Sequence, residues 1–175
     1  MFWKHPKFLF IFRVAIPILL TLLWLGFIFG NSLKDAAASS EQSSQVQEIV
    51  NNVASSVGIE EPISESTVRN MAHFTEFAIL GILLCLDVWG VGLSPFRPRR
   101  RWDFLWLLTA LPASFLLALF DEFLQTFSEG RAKDFADVLT DTAGAAIGIA
   151  VFLALFFLLR LVFRTKKQNT SRKTA

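Results

Sequence analysis

Along this 175-residue chain the apolar positions come in long blocks, not in the short alternations and single stripes of a soluble domain. Uncharged runs cover Val14–Gly30, Phe104–Phe120 and Thr142–Leu159. Each is near the length, about 17–25 residues, that carries a helix across hydrocarbon. Four hydrophobic segments emerge, at about 8–30, 71–93, 104–120 and 138–163, and no internal repeat relates them. The pattern predicts an all-α, polytopic membrane four-helix bundle, one domain over residues 1–175. A cleaved signal peptide is the alternative for the first segment, because basic residues precede it and Ala36-Ala37-Ala38 follows it. Its apolar core exceeds the ~7–15 residues of a signal sequence, so a retained helix is expected.

The segment 31–70 reads differently, being rich in Ser, Ala, Glu and Gln. Within it Val46, Ile49, Val50, Val53 and Val57 recur at helical spacing, which predicts a short amphipathic helix against the membrane or the other helices. Gly58 and Pro62 would end it. A partly ordered linker is the other reading.

Composition narrows the class. With 53% hydrophobic and 18% charged residues, 19 Phe and 5 Trp, a secreted or cytosolic globular enzyme is excluded. One cysteine, Cys85, excludes a disulfide framework or a thiolate metal cluster, and its apolar setting reads as an inert core or lipid-facing residue. The net charge of +2 says little, whereas its distribution says more. Lys4, Lys7 and Arg13 precede the first segment, Arg97, Arg99, Arg100 and Arg101 fill the second loop, and Arg160, Arg164, Lys166, Lys167, Arg172 and Lys173 form the end. Acids dominate the other two loops: Asp35, Glu41, Glu48, Glu60, Glu61 and Glu65, then Asp121, Glu122, Glu129, Asp134 and Asp137. Since cytoplasmic loops are enriched in Lys and Arg, both termini and the Arg cluster are expected in the cytoplasm. A topogenic patch beside anionic lipid explains Arg97–Arg101, and no nucleic-acid partner is expected.

Chemistry concentrates at the opposite ends of the helices. Arg69, His73 and Glu76 share one face of the second helix at spacings of four and three. Asp121-Glu122 and Gln125 close the third. Asp137, Asp141, Gly144 and Gly148 form one stripe at the start of the fourth, its small residues admitting a close neighbour. Ionisable groups in a membrane normally face protein or water, so these side chains should point into the bundle. The candidate binding set is Arg69, His73, Glu76, Glu122, Gln125, Arg131, Asp137 and Asp141. Ordinary helix capping and interfacial pairing, with Asp137 at a helix N-terminus and Arg131 against Asp134, is the structural alternative.

The blocks Arg69-Asn70-Met71-Ala72-His73-Phe74-Thr75-Glu76-Phe77 with Gly81, Asp121-Glu122-Phe123-Leu124-Gln125-Thr126-Phe127, and Gly130-Arg131 with Asp134, Asp137-Val138-Leu139, Asp141-Thr142-Ala143-Gly144 and Gly148 resemble the VanZ-like family. Ser32 matches a Ser often found there after the first helix. The family commonly carries Lys where this chain has Asn70, and often Asn where it has Asp141. The resemblance implies a bacterial multi-pass inner-membrane protein, the family's namesake being associated with teicoplanin resistance.

Three readings of the cluster follow. In the first, Arg69 and Arg131 hold a phosphate or carboxylate of an envelope lipid-linked headgroup or wall precursor, because arginine presents a planar fork of donors. In the second, the protein is a membrane hydrolase or transferase whose catalytic candidates are His73, Glu76, Glu122 and Asp137. There His73 would be a general base, or His73, Glu122, Asp137 and Asp141 would bind a divalent metal. No HExxH, GxSxG or Cys-based motif accompanies it, and no cofactor or metal is expected as resident. The third reading is structural, the polar groups knitting the bundle together.

Overall fold

The computed structural model describes residues 11–58, 61–92, 103–129 and 134–173. Among them are five α-helices and no strand: α1 Ile16–Ser32, α2 Ala36–Ser56, α3 Glu65–Gly92, α4 Ala110–Gln125 and α5 Phe135–Lys173. A π-helical turn, Ile11–Ala15, leads into α1, and a 3-10 stretch, Asp103–Thr109, leads into α4. Four spans are long and apolar enough to cross a membrane: Phe12–Ser32, Glu65–Val91, Leu105–Gln125 and Phe135–Val162. The basic residues Lys4, Lys7, Arg97 and Arg99 to Arg101, and the candidate Arg131, lie outside the described residues, as do Glu60 and Gly130.

The helix ends depart from the apolar segments that predicted them. The second spanning helix begins at Glu65, not near Met71, because Ser64 Oγ accepts from the Thr67 N–H at 3.2 Å and an acid occupies the first turn. The third continues past Phe120 to Gln125, its polar last turn finding partners inside the bundle. The fourth runs from Phe135 to Lys173, beyond both expected ends, its start marked by Asp134 Oδ1 accepting from the Ala136 N–H at 2.8 Å. Nor is 31–70 all loop. Asp35 caps α2 by accepting from the Ala38 N–H at 2.7 Å, and Gly58, with φ of 87°, follows its end.

The amphipathic pattern of α2 is realised with its apolar stripe outward. Val46, Ile49, Val53 and Val57 are exposed. The polar side is what ties α2 to the chain: Gln47 Nε2 donates to the Ile63 carbonyl at 2.8 Å, and Asn51 Oδ1 accepts from the Ile63 N–H at 2.8 Å.

Helix α3 is central and touches every other helix, most extensively α5. The sequence permits this approach through small residues. A methyl added at Gly81 would run into the carbonyl of Ala145, one at Gly144 into that of Phe74, and one at Gly148 into that of Ala78. Two apolar clusters fill the interior. Ile28, Phe77, Leu80, Ala118, Val138 and Ala145 form one, and Cys85, Leu107, Ala110 and Ile149 the other. Cys85 is wholly buried, which selects the core over the lipid-facing alternative its setting left open. Exposed Leu, Ile and Phe side chains wrap the outside of the spans, the surface that hydrocarbon solvates. Between these helices Thr21 Oγ1 donates to Asp87 Oδ2 at 2.7 Å, joining α1 to α3.

Candidate functional site

The end of α1, the start of α3, the end of α4 and the start of α5 meet at one end of the bundle, roofed on one side by α2. A cleft of about 110 Å³ opens there. Arg69, His73 and Glu76 form its α3 wall, Asn31 and Lys34 its α1 side, and Ser39, Gln42 and Ser43 its α2 side. The four-and-three spacing on α3 thus delivers all three side chains to one place.

The polar groups of this cleft are connected. Lys34 Nζ donates to Asn31 Oδ1 and to Gln42 Oε1, each at 2.9 Å. Asn31 Nδ2 passes the contact on to Glu76 Oε1 at 3.0 Å. The Glu76 backbone carbonyl accepts from Trp24 Nε1 at 2.9 Å, fixing α1 against α3. Arg69 pairs with Glu65 one turn earlier, at 3.1 Å, while its buried Nε has no partner among the described residues. Lys34 forms no salt bridge within 4 Å among the described residues. Two cations therefore face the cleft with donors to spare.

Behind His73 lies a buried acid network. Asp121, wholly buried at the end of α4, accepts from Ser32 Oγ on Oδ1 and from Gln125 Nε2 on Oδ2, the latter at 3.0 Å. Ser128 Oγ donates to the Ser32 carbonyl at 3.0 Å, extending the network into the segment after α4. Asp141 on α5 is 2% exposed. A nitrogen of His73 and one carboxylate oxygen each of Asp121 and Asp141 lie within 4.8 Å of one another.

The remaining candidates separate from this centre. Glu122 Oε1 accepts from the Asp134 N–H at 2.7 Å, so it closes the connection between α4 and α5 instead of joining the trio. Asp137 stays half-buried one turn before Asp141, its N–H donating to the Asp134 carbonyl at 3.0 Å. Of the four residues offered as metal ligands, His73 and Asp141 come together, with Asp121 as their third member.

Asp121, Lys34, Asn31 and Gln42 are residues that the sequence reading left off the site. A signal existed for two of them. Asp121 stands four before Gln125 on one helical face, and Lys34 is the one basic residue between Arg13 and Arg69.

Comparison with known proteins agrees with the residue blocks: a family model described as VanZ/LLP1 matches residues 17–160. No curated protein and no solved structure matches the chain.

Proposed function

The chain belongs to the VanZ/LLP1 family, and from that membership and the cleft between α1, α2 and α3 we propose that it binds or remodels an anionic lipid-linked headgroup. The setting proposed is the extracytoplasmic face of a bacterial inner membrane, and the consequence a link to glycopeptide (teicoplanin) resistance. The partners are envelope lipids, a lipid-linked wall precursor among them.

The observation that carries this reading is Lys34 and Arg69 lining one cleft with no shared carboxylate between them. Phosphate or carboxylate oxygens match their donors, and His73, Glu76, Ser39 and Gln42 supply acceptors and donors for sugar hydroxyls. The exposed apolar flanks of the spans would let an acyl or prenyl chain stay in the bilayer while its headgroup enters.

The test uses full-length protein in nanodiscs doped with a polyprenyl phosphate, with retention read by native mass spectrometry. Lys34→Gln and Arg69→Gln should each weaken retention about tenfold or more, the worth of a charge-assisted contact of about 1.5–3 kcal/mol. Lys34→Arg should preserve it. Equal retention in all variants, or equal retention of a neutral lipid, refutes the reading.

A hydrolase or transferase is the second reading, favoured by the closeness of His73 to Asp121 and Asp141. A histidine beside a carboxylate is the arrangement of an oriented general base. Under that reading His73→Gln abolishes turnover of the bound lipid while leaving retention intact; loss of retention alone argues against it.

A further inference from the structure

We propose that His73, Asp121 and Asp141 form a binding site for one divalent transition-row cation at the inner end of the cleft. The three donors come from three different helices, α3, α4 and α5, and converge within 4.8 Å. Ligand atoms at about 2.1 Å from one ion stand about 3–4 Å apart, so a small inward turn of the side chains closes the set.

A second observation, independent of the clustering, points to a ligand. Asp141 is 2% exposed, and its Oδ1 is buried with no hydrogen-bond partner among the described residues. A buried carboxylate oxygen without a donor is costly, more so at membrane depth. One Asp141 carboxylate oxygen lies within 4.8 Å of a His73 nitrogen and an Asp121 oxygen, so a cation among them satisfies the buried carboxylate and offsets the repulsion between the two acids.

Asp121 is prepared in the way metal-ligating carboxylates are. Ser32 Oγ and Gln125 Nε2 each donate to one of its oxygens, which orients the group. The nearby cations Lys34 and Arg69 make their hydrogen bonds to Asn31 and Gln42 and to Glu65, outside the trio. Imidazole with carboxylate suits zinc, manganese or iron(II) better than the all-oxygen preference of calcium or magnesium. Three protein ligands leave a coordination position open, and one of the three, His73, also lines the cleft.

This inference does not rest on the lipid reading, since it is measured with the metal alone. Full-length protein in detergent is stripped with chelator, dialysed and titrated with Mn²⁺ or Zn²⁺, and the Mn²⁺ form is examined by pulsed EPR. One ion per chain is expected, with an imidazole nitrogen coupling that His73→Gln removes. Asp121→Asn and Asp141→Asn should weaken binding at least tenfold, and Ser32→Ala about tenfold through the orientation of Asp121. Glu41→Gln, on the exposed side of α2, should bind as wild type does. Asp→Asn is nearly isosteric, so circular dichroism and thermal unfolding of the metal-free variants separate lost ligation from lost fold. Absence of stoichiometric metal in folded wild type, absence of nitrogen coupling, or wild-type affinity in Asp141→Asn overturns the site whatever the lipid assay gives.

Discussion

Replacing Gly148 by alanine tests whether the α3–α5 contact holds the bundle as closely as its geometry states. The added methyl would run into the Ala78 carbonyl oxygen while lying 2.8 Å from its carbon and 3.1 Å from Ala78 Cα. Backbone, unlike a side-chain end, cannot rotate away, so the two helix axes must separate. Overpacking of this kind costs about 1–3 kcal/mol, against which alanine regains up to about 1 kcal/mol of helix propensity. With the full gain subtracted the net loss is up to about 2 kcal/mol, which at about 2–4 °C per kcal/mol for a chain of this size lowers the melting temperature by up to about 8 °C. Cys85 supplies the assay: it is the one cysteine of the chain and wholly buried, so a thiol-reactive fluorophore lights up only as the bundle opens. Gly26→Ala is the control, because a Cβ there meets nothing within 4 Å. Only the propensity gain then applies, and Gly26→Ala should melt at or slightly above wild type. A Gly148→Ala protein that melts as high as the Gly26→Ala control would refute the reasoning, because the close approach would then cost nothing to disturb.

Other perturbations read other links. With Cys85 replaced by serine, single cysteines near Glu60 and Gly130 should react with an impermeant reagent from outside, and those near Pro98 and Asn169 only after permeabilisation; outside labelling near Pro98 reverses the proposed orientation. In the presence of chelator, a double-mutant cycle of Ser32→Ala and Asp121→Asn should show a coupling of about 1–2 kcal/mol in thermal stability, and a coupling near zero would dissolve the α1–α4 link. Thr21→Val should destabilise by about 1–3 kcal/mol, because Asp87 loses its Oδ2 donor between α1 and α3; unchanged melting would mean that contact carries nothing. Glu122→Gln should leave stability within about 0.5 kcal/mol, the amide oxygen still accepting from Asp134, whereas Glu122→Ala should cost about 1 kcal/mol.

The number of crossings was legible in the chain because hydrocarbon thickness sets a length, and four runs of residues meet it. The common face of Arg69, His73 and Glu76, and the glycine stripe of α5, were legible because periodicity on one helix is a local property. The ends of the spanning helices and the start of α2 were not, although Gly58 did mark the end of α2. They are set by Ser64 and Asp35 capping and by the partners of Asp121 and Gln125, all outside or at the edge of the apolar runs. Asp121 and Glu122 make the sharper case. Adjacent carboxylates stand about 100° apart on a helix, so one can enter the bundle while its neighbour turns to the hairpin. Nothing local says which. A period assigns angles around a helix's own axis, while the rotation of that axis against its neighbours comes from packing. The α3–α5 approach and the α1–α4 hydrogen bond brought Asp121, not Glu122, to His73 and Asp141, and placed Lys34 across the cleft from Arg69.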